Sequence, residues 1–197
     1  SVLANGGYLV RPHLITRITD YKNRVLVESP PQAPGEDVPR AIPERNAFVM
    51  SSLLQEVTRS GTAARAQSLL KRQDVYGKTG TTNDAMDAWF AGYHPNMTAV
   101  VWIGYDTPRK LGDRETGGGL SLPVWIKFME TALQSQPSTA LSVPEGVVQY
   151  GGDWAYAEFT GDAGVSALGL ETGGSGSKAS TMPPVEEKRR ILDLFRQ

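Results

Sequence analysis

Apolar and polar residues change period several times along the chain, and each change predicts an element. Asn5-Gly6-Gly7 reads as the stop of a helix. Leu14, Thr16 and Ile18 then alternate against Ile15, Arg17 and Thr19, and Val25 and Val27 resume the alternation after residues 20–23, so a short hairpin is expected. Pro30, Pro31, Pro34, Gly35 and Pro39 exclude regular structure in the next stretch. Pro43 suits a first helical position, and Met50, Leu53, Leu54 and Val57 recur at i, i+3, i+4 and i+7, which predicts a helix with that stripe inward. Gly61 ends it, and residues 63–70 read as a second, shorter helix.

Beyond Asp74 the period falls to two. Residues 75–81, 88–93 and 98–104 read as three strands, and the short turn His94-Pro95-Asn96 makes the last two an antiparallel hairpin. A loop follows with three consecutive glycines, Gly117 to Gly119. Pro123 then opens a helix whose apolar stripe, Trp125, Phe128, Met129, Ala132 and Leu133, is expected to lie on the sheet. Residues 137–171 are mixed, with a short strand expected near 155–159. Residues 172–184 read as a flexible linker, and 185–197 as a C-terminal amphipathic helix in which Glu186 and Arg190 have the favourable i, i+4 order. The fold class is therefore α+β, an antiparallel sheet packed by helices, followed by a linker and a terminal helix.

Composition narrows the function classes. Twenty basic against twenty-one acidic residues leave a net charge of −1, which gives no electrostatic footprint for nucleic acid or an anionic membrane. There are no cysteines, so disulfides and thiolate zinc sites are excluded. His13 and His94 are the only histidines, one beside a proline and one in a predicted turn, and neither a metal site nor a Ser-His-Asp triad is expected. No cofactor is implied. No stretch approaches the apolar length of a membrane span.

The chemistry concentrates at Tyr76-Gly77-Lys78-Thr79-Gly80-Thr81-Thr82-Asn83-Asp84. On a strand, Lys78 and Gly80 face one way and Thr79 and Thr81 the other, and a glycine lets another backbone approach closely. Such an edge suits an extended peptide ending in a carboxylate: an ammonium, hydroxyl donors, and the Thr81 N–H aimed at a developing oxyanion. Trp89, Phe90, Tyr93 and Trp102 fall at strand positions and read as core. Asp84 and Asp87 read as turn caps for backbone N–H groups.

Lys-Thr-Gly is the third element of penicillin-recognising serine acyl-transferases. Around it stand Ala4-Asn5-Gly6-Gly7-Tyr8, Gly61-Thr62-Ala63, Asp87-Ala88-Trp89-Phe90-Ala91-Gly92-Tyr93, Val101-Trp102-Ile103-Gly104 and Pro123-Val124-Trp125-Ile126-Lys127-Phe128-Met129. In order and approximate spacing these resemble the last part of the transpeptidase domain of class A penicillin-binding proteins, the bifunctional peptidoglycan synthases. The resemblance covers residues 1–136, which sets the expected division: 1–136 transpeptidase, 137–171 an extended segment, 172–184 linker, 185–197 helix. It implies a partial penicillin-binding, serine β-lactamase-like fold.

The resemblance also implies roles. Lys78 and Thr81 are the expected catalytic residues, and Lys78, Thr79, Gly80, Thr81 and Thr82 the substrate-binding ones. The expected reaction is D-alanyl-D-alanine transpeptidation on stem peptides through an acyl-serine, with β-lactams as inhibitors, at the periplasmic side of a bacterial inner membrane. The nucleophilic serine and the Ser-x-Asn element are expected in an upstream segment of the same enzyme, together with a glycosyltransferase and any membrane anchor. Ser68-Leu69-Leu70-Lys71 fits Ser-x-x-Lys but lies only ten residues before Lys78, and Ser175-Gly176-Ser177-Lys178 falls in the linker; neither is taken as the nucleophile. Two alternatives stay open: a serine β-lactamase or D-Ala-D-Ala carboxypeptidase, and a non-catalytic interaction module that keeps the fold.

Overall fold

The three strands expected beyond Asp74 form within one residue of expectation. A computed structural model describes residues 1–160 apart from 31, 33, 34, 36 and 37. The expected linker at 172–184 and helix at 185–197 lie outside the described residues. The central element is an antiparallel sheet of three strands, β3 (Tyr76–Thr81), β4 (Ala88–His94) and β5 (Met97–Ile103), in the order β3-β4-β5. Its registers run from Tyr76↔Tyr93 to Thr81↔Ala88 and from Ala88↔Ile103 to His94↔Met97, so Pro95-Asn96 make a two-residue hairpin turn. β3 is therefore a sheet edge.

The two sheet faces differ. Phe90 and Ala88 are fully buried beneath α3 (Ser121–Ala132), where Leu122, Trp125, Ile126 and Met129 join Val75 and the Ala63 and Ala66 side chains in one core. Phe90 meets Trp125 edge-on at 4.9 Å. The Trp125 indole N–H donates to the Ala99 carbonyl at 3.1 Å and the Ser121 hydroxyl to the Ala88 carbonyl at 2.7 Å, which fixes the helix on the sheet. Truncating a fully buried Trp of this kind costs about 3–5 kcal/mol. The opposite face carries Trp89, Val100 and Trp102, all exposed. Trp89 and Trp102 are thus not core as expected: they lie directly across from each other, 6.0 Å apart, on the face that α3 does not cover.

The first long helix, α1 (Glu44–Arg59), follows Pro43 as expected and packs on the start of β3, but with another face inward. Ala47, Phe48, Ser51 and Thr58 are buried, whereas Met50 and Leu53 are exposed. Polar residues seat it: Thr58 donates to the Val75 carbonyl at 2.7 Å, and the Ser51 hydroxyl meets the Tyr93 hydroxyl at 2.7 Å. Helical period alone could not reveal that an inward stripe would hold serine and threonine. α3 errs the same way at one position, since Phe128 is exposed and Leu122 and Ile126 take its place. The shorter helix α2 covers Arg65–Leu70, with 63 and 64 in the turn before it.

The hairpin β1 (Arg17–Thr19) and β2 (Val25–Glu28) forms as the alternation predicts, closed by Asp20, whose carboxylate accepts the Lys22 and Arg24 N–H groups. Asn5-Gly6-Gly7 ends a helical turn: the Gly6 N–H bonds the Leu3 carbonyl, the Gly7 N–H the Val2 carbonyl, and Gly6 is left-handed. Within 137–160 the strands are β6 (Val147–Tyr150) and β7 (Asp153–Tyr156), and residues 157–159 make a 3₁₀ turn where strand was expected. This hairpin leans on α1 through Phe48 against Trp154, Arg45 with Glu158, and the Tyr156 hydroxyl donating to Asn46.

His94, expected in a turn, is the last residue of β4 and is fully buried. Its Nδ1 accepts the Asn96 N–H at 3.2 Å, so Nε2 carries the proton and donates to Asp74 at 3.1 Å. Asp74 is 3% exposed and also accepts from Arg72 at 2.7 Å and from the Thr139 N–H at 2.7 Å, while Arg72 reaches the Gln136 and Pro137 carbonyls. This network ties the chain after α3 to the start of β3. Burial works to raise the Asp74 pKa, but the Arg72 guanidinium, the Thr139 N–H and His94 together hold it below the ordinary carboxylate value. A carboxylate depressed on folding adds stability above its unfolded pKa of about 4 and loses it as the pH falls through the lower folded value. The thermal midpoint should therefore drop as the pH falls below about 4. Asp74→Asn should flatten that dependence and cost about 3–5 kcal/mol at pH 7 by leaving Arg72 unpaired. An unchanged melting profile in this variant would show that the network carries no such load.

Candidate functional site

Among the described residues β3 is hydrogen-bonded along one side only, and the register says which residues face the free side. The Thr82 N–H bonds the Asp87 carbonyl at 3.1 Å, continuing the β4 ladder. Because backbone groups alternate sides, Gly80 and Lys78 also pair with β4, whereas the N–H and C=O of Thr79 and Thr81 point out at the open rim. Lys78 confirms the direction, since its ammonium donates to the Thr79 carbonyl at 2.9 Å and lies 3.3 Å from the Thr79 hydroxyl. Its side chain shares a face with Trp89 and curls to the rim.

The Thr79 and Thr81 side chains project on the α3 side, as their alternation with Lys78 requires. There they meet two turns distant in sequence. The Thr62 hydroxyl, between α1 and α2, lies 2.9 Å from the Thr79 hydroxyl. The Gly117 N–H donates to the Thr81 hydroxyl at 3.1 Å. Gly117 to Gly119, expected as a loop, stand at the rim and are held there. The Gly117 carbonyl accepts the Leu122 N–H, and a Cβ on Gly117 would strike the Trp89 carbonyl and lie 2.5 Å from that of Gly80. Only glycine permits this backbone contact.

Thr82 stands apart from the cluster. Its hydroxyl accepts the Asp87 N–H at 2.8 Å and reaches the Asp87 carboxylate at 3.3 Å. Here the capping expectation is reversed: Thr82 caps the turn, and the Asp87 carboxylate instead takes the Trp102 indole N–H at 2.8 Å. Asp84 is a left-handed turn residue 3.6 Å from Lys110.

No alternative base sits nearby on the strand. Tyr76 and Tyr93 stack at 5.0 Å. Burial, with smaller contributions from Tyr93 and Asp74, pushes the Tyr76 phenol up to about 12; burial likewise raises Tyr93 against the opposing Ser51 hydroxyl. Both stay neutral. A cavity of about 220 Å³ between α1, Trp154 and residues 138–143 opens beside Tyr76, and neither Lys78 nor Thr79 to Thr82 lines it. Ser68 is in α2 with its hydroxyl on the Arg65 carbonyl at 3.2 Å, while Lys71 is left-handed beyond the helix end, so the two do not share a helical face. Among the described residues there is no group of acidic and histidine side chains able to hold a metal ion, and no helix long and apolar enough to cross a membrane.

What the sequence reading missed is the backing of the rim. Thr62 was noted only within Gly61-Thr62-Ala63, and nothing in a linear pattern brings it beside Thr79. Three consecutive glycines were the one signal of a close backbone contact.

Known proteins resemble this chain in sequence and in fold. The family model described as the penicillin binding protein transpeptidase domain matches residues 1–130. Penicillin-binding protein 1A of Neisseria flavescens is 45% identical over 153 residues, which are 78% of this chain and 19% of that protein. Penicillin-binding protein 1A of Neisseria lactamica is 41% identical over 181 residues, 91% of this chain and 22% of that protein. The chain thus spans about a fifth of the length of these relatives. The crystal structure of penicillin-binding protein 1A from Haemophilus influenzae superposes with a TM-score of 0.70 at 30% identity, covering 79% of this chain and 30% of that one.

The packing of the glycine loop yields a paired test. Gly117→Ala should destabilise the protein by about 3 kcal/mol, at the upper end for overpacking, because its neighbours are backbone. Gly119→Ala, whose Cβ would find ordinary contact at 3.5 Å, should stay within about 0.5 kcal/mol. Denaturant unfolding measures both, and equal effects would deny the loop its fixed seat on β3.

Proposed function

This chain belongs to the penicillin-binding protein transpeptidase domain family, and from that premise we propose that it supplies the substrate-binding strand of a serine acyl-transferase that cross-links peptidoglycan stem peptides. The observation that carries the reading is the rim of β3, where an ammonium, two hydroxyls and two free backbone N–H groups converge. In this role Thr79 and Thr81 donate to the terminal carboxylate of a D-alanyl-D-alanine stem, and Lys78 provides positive potential. The Thr81 N–H stabilises the oxyanion as the carbonyl carbon becomes tetrahedral. Gly80 keeps the strand bare on the Lys78 face, and Thr82 holds the strand end through Asp87.

The attacking hydroxyl belongs, in this proposal, to a serine outside residues 1–160. It adds to the penultimate D-alanine carbonyl. The peptide C–N bond then breaks, the serine's proton passes to the departing nitrogen so that the terminal D-alanine leaves as a neutral amine, and an ester remains on the serine. An amine of a second stem attacks that ester, forms the cross-link and returns the proton to the serine. Penicillin carries a carboxylate and a strained amide in the same relation, and would acylate the same serine.

The relatives' class supports the wider proposal. The longer protein would be a bifunctional synthase joined to a glycosyltransferase and anchored in a bacterial inner membrane, with this chemistry on the periplasmic side. Residues 1–136 would be the closing portion of its transpeptidase domain and the described residues 137–160 an extension of it. Trp89, Val100 and Trp102 present an apolar face suited to another layer of such a domain.

In the full-length protein, Lys78→Ala should lower the rate of penicillin acylation by about 100-fold or more, as loss of one charge-stabilising group does elsewhere, while the thermal midpoint moves little. Intact-mass spectrometry after timed penicillin exposure measures it. An adduct that forms at the parent rate would remove Lys78 from the site, and one that hydrolyses within a turnover would move the protein to the β-lactamase class.

A further inference from the structure

We infer that Thr62 is a positioning residue for carboxylate recognition: its hydroxyl donates to Thr79 Oγ1 and thereby commits the Thr79 proton to the ligand. The inference rests on the reading of the β3 rim given above and deepens it. A threonine hydroxyl has one proton and two lone pairs. At Thr79 Oγ1, one lone pair faces the Lys78 ammonium at 3.3 Å, a group that can only donate. Thr62 Oγ1 stands 2.9 Å away and can either donate or accept. When a carboxylate docks, a Thr79 proton turned toward it makes the stronger, charge-assisted bond, and Thr62 then donates into the second lone pair. All three capacities of the Thr79 hydroxyl are filled at once. Donation into Thr79 also polarises its O–H and strengthens the bond to the anion.

Thr62 is held firmly enough for this task. Gly61 before it packs on the α1 backbone so closely that a Cβ would come 2.9 Å from Val57 Cα, and Ala63 after it is fully buried with its N–H on the Val57 carbonyl. Across from it Gly118 approaches so near that a Cβ there would be 3.2 Å from the Thr62 carbonyl. The hydroxyl is thus set between the α1–α2 turn and the glycine loop, fixed at the distance of a hydrogen bond from Thr79.

The test compares a β-lactam bearing a free carboxylate with its methyl ester, in the full-length protein, using the second-order acylation rate. Thr62→Val keeps the shape and removes the hydroxyl; it should lower the acid-over-ester preference about 3- to 10-fold, the worth of one hydrogen bond. Thr62→Ser should restore the preference. Thr79→Val is the arm that separates the two readings. If Thr79→Val abolishes the preference while Thr62→Val retains it, or if Thr62→Val slows acid and ester equally, the positioning role is overturned and the site stands. If Thr79→Val leaves the preference whole, the reading of the β3 rim itself falls.

Discussion

The site depends on a strand that is rigid on one side and unpaired on the other. An edge strand normally invites pairing with any exposed chain, yet among the described residues β3 keeps the outer N–H groups of Thr79 and Thr81 free, while the Lys78 ammonium takes the Thr79 carbonyl. Its rigidity comes from behind and from its ends. Six residue pairs bind it to β4, Phe90 and Trp125 fill the space beneath, and the Thr58 hydroxyl and the Asp74 network fasten its beginning. At the other end the Thr82–Asp87 turn and the Gly117 contact stop the strand from fraying. A site assembled this way needs little reorganisation, which is the condition under which donors act strongly on developing charge.

The anchoring at the two ends differs in kind. At the start of β3 the anchor is a buried Asp74 carboxylate paired with the Arg72 guanidinium and hydrogen-bonded by the enclosed His94 ring, and among the described residues no buried side-chain polar atom lacks a partner. Removing one member leaves an uncompensated charge, so the network is unforgiving. At the far end the anchors are neutral, partly exposed hydroxyl and backbone contacts around Thr62, Thr81 and Gly117. The ion pair thus lies away from the candidate rim, and the neutral contacts lie beside it.

The strands and helices were legible in the sequence because they rest on local period: residues 75–81 were expected and Tyr76–Thr81 found, and the turn expected at His94-Pro95-Asn96 is the hairpin turn, shortened to Pro95-Asn96 because His94 ends β4. The faces were less legible. Met50 and Leu53 looked inward by hydrophobicity, but α1 seats on β3 with Ser51 and Thr58 because those hydroxyls satisfy Tyr93 and a strand carbonyl. Trp89 and Trp102 looked like core because aromatic residues favour it, while the face they occupy is open among the described residues. The candidate site residues Lys78, Thr79, Gly80 and Thr81 came from a motif. Thr62, Gly117 and the Asp74–His94 pair did not, since each acts on a residue at least 17 positions away.

An edge strand is the one regular element that can present this set of groups. On a helix, residues 78, 79 and 81 would point about 100° apart per residue and their N–H groups would be consumed by the helix itself. In a central strand both rows of backbone groups would be paired to neighbours. At an edge, Lys78 reaches the rim from one face, Thr79 and Thr81 reach it from the other, and the backbone offers donors between them. An extended peptide can lie along such a rim as an added strand, with its terminal carboxylate among the hydroxyls and its reacting carbonyl at the next free N–H. The glycine at 80 keeps that approach clear, and the glycine at 117 closes the back of it. The motif's order, cation, hydroxyl, glycine, hydroxyl, is thus the order in which a strand must deliver those groups to a single line.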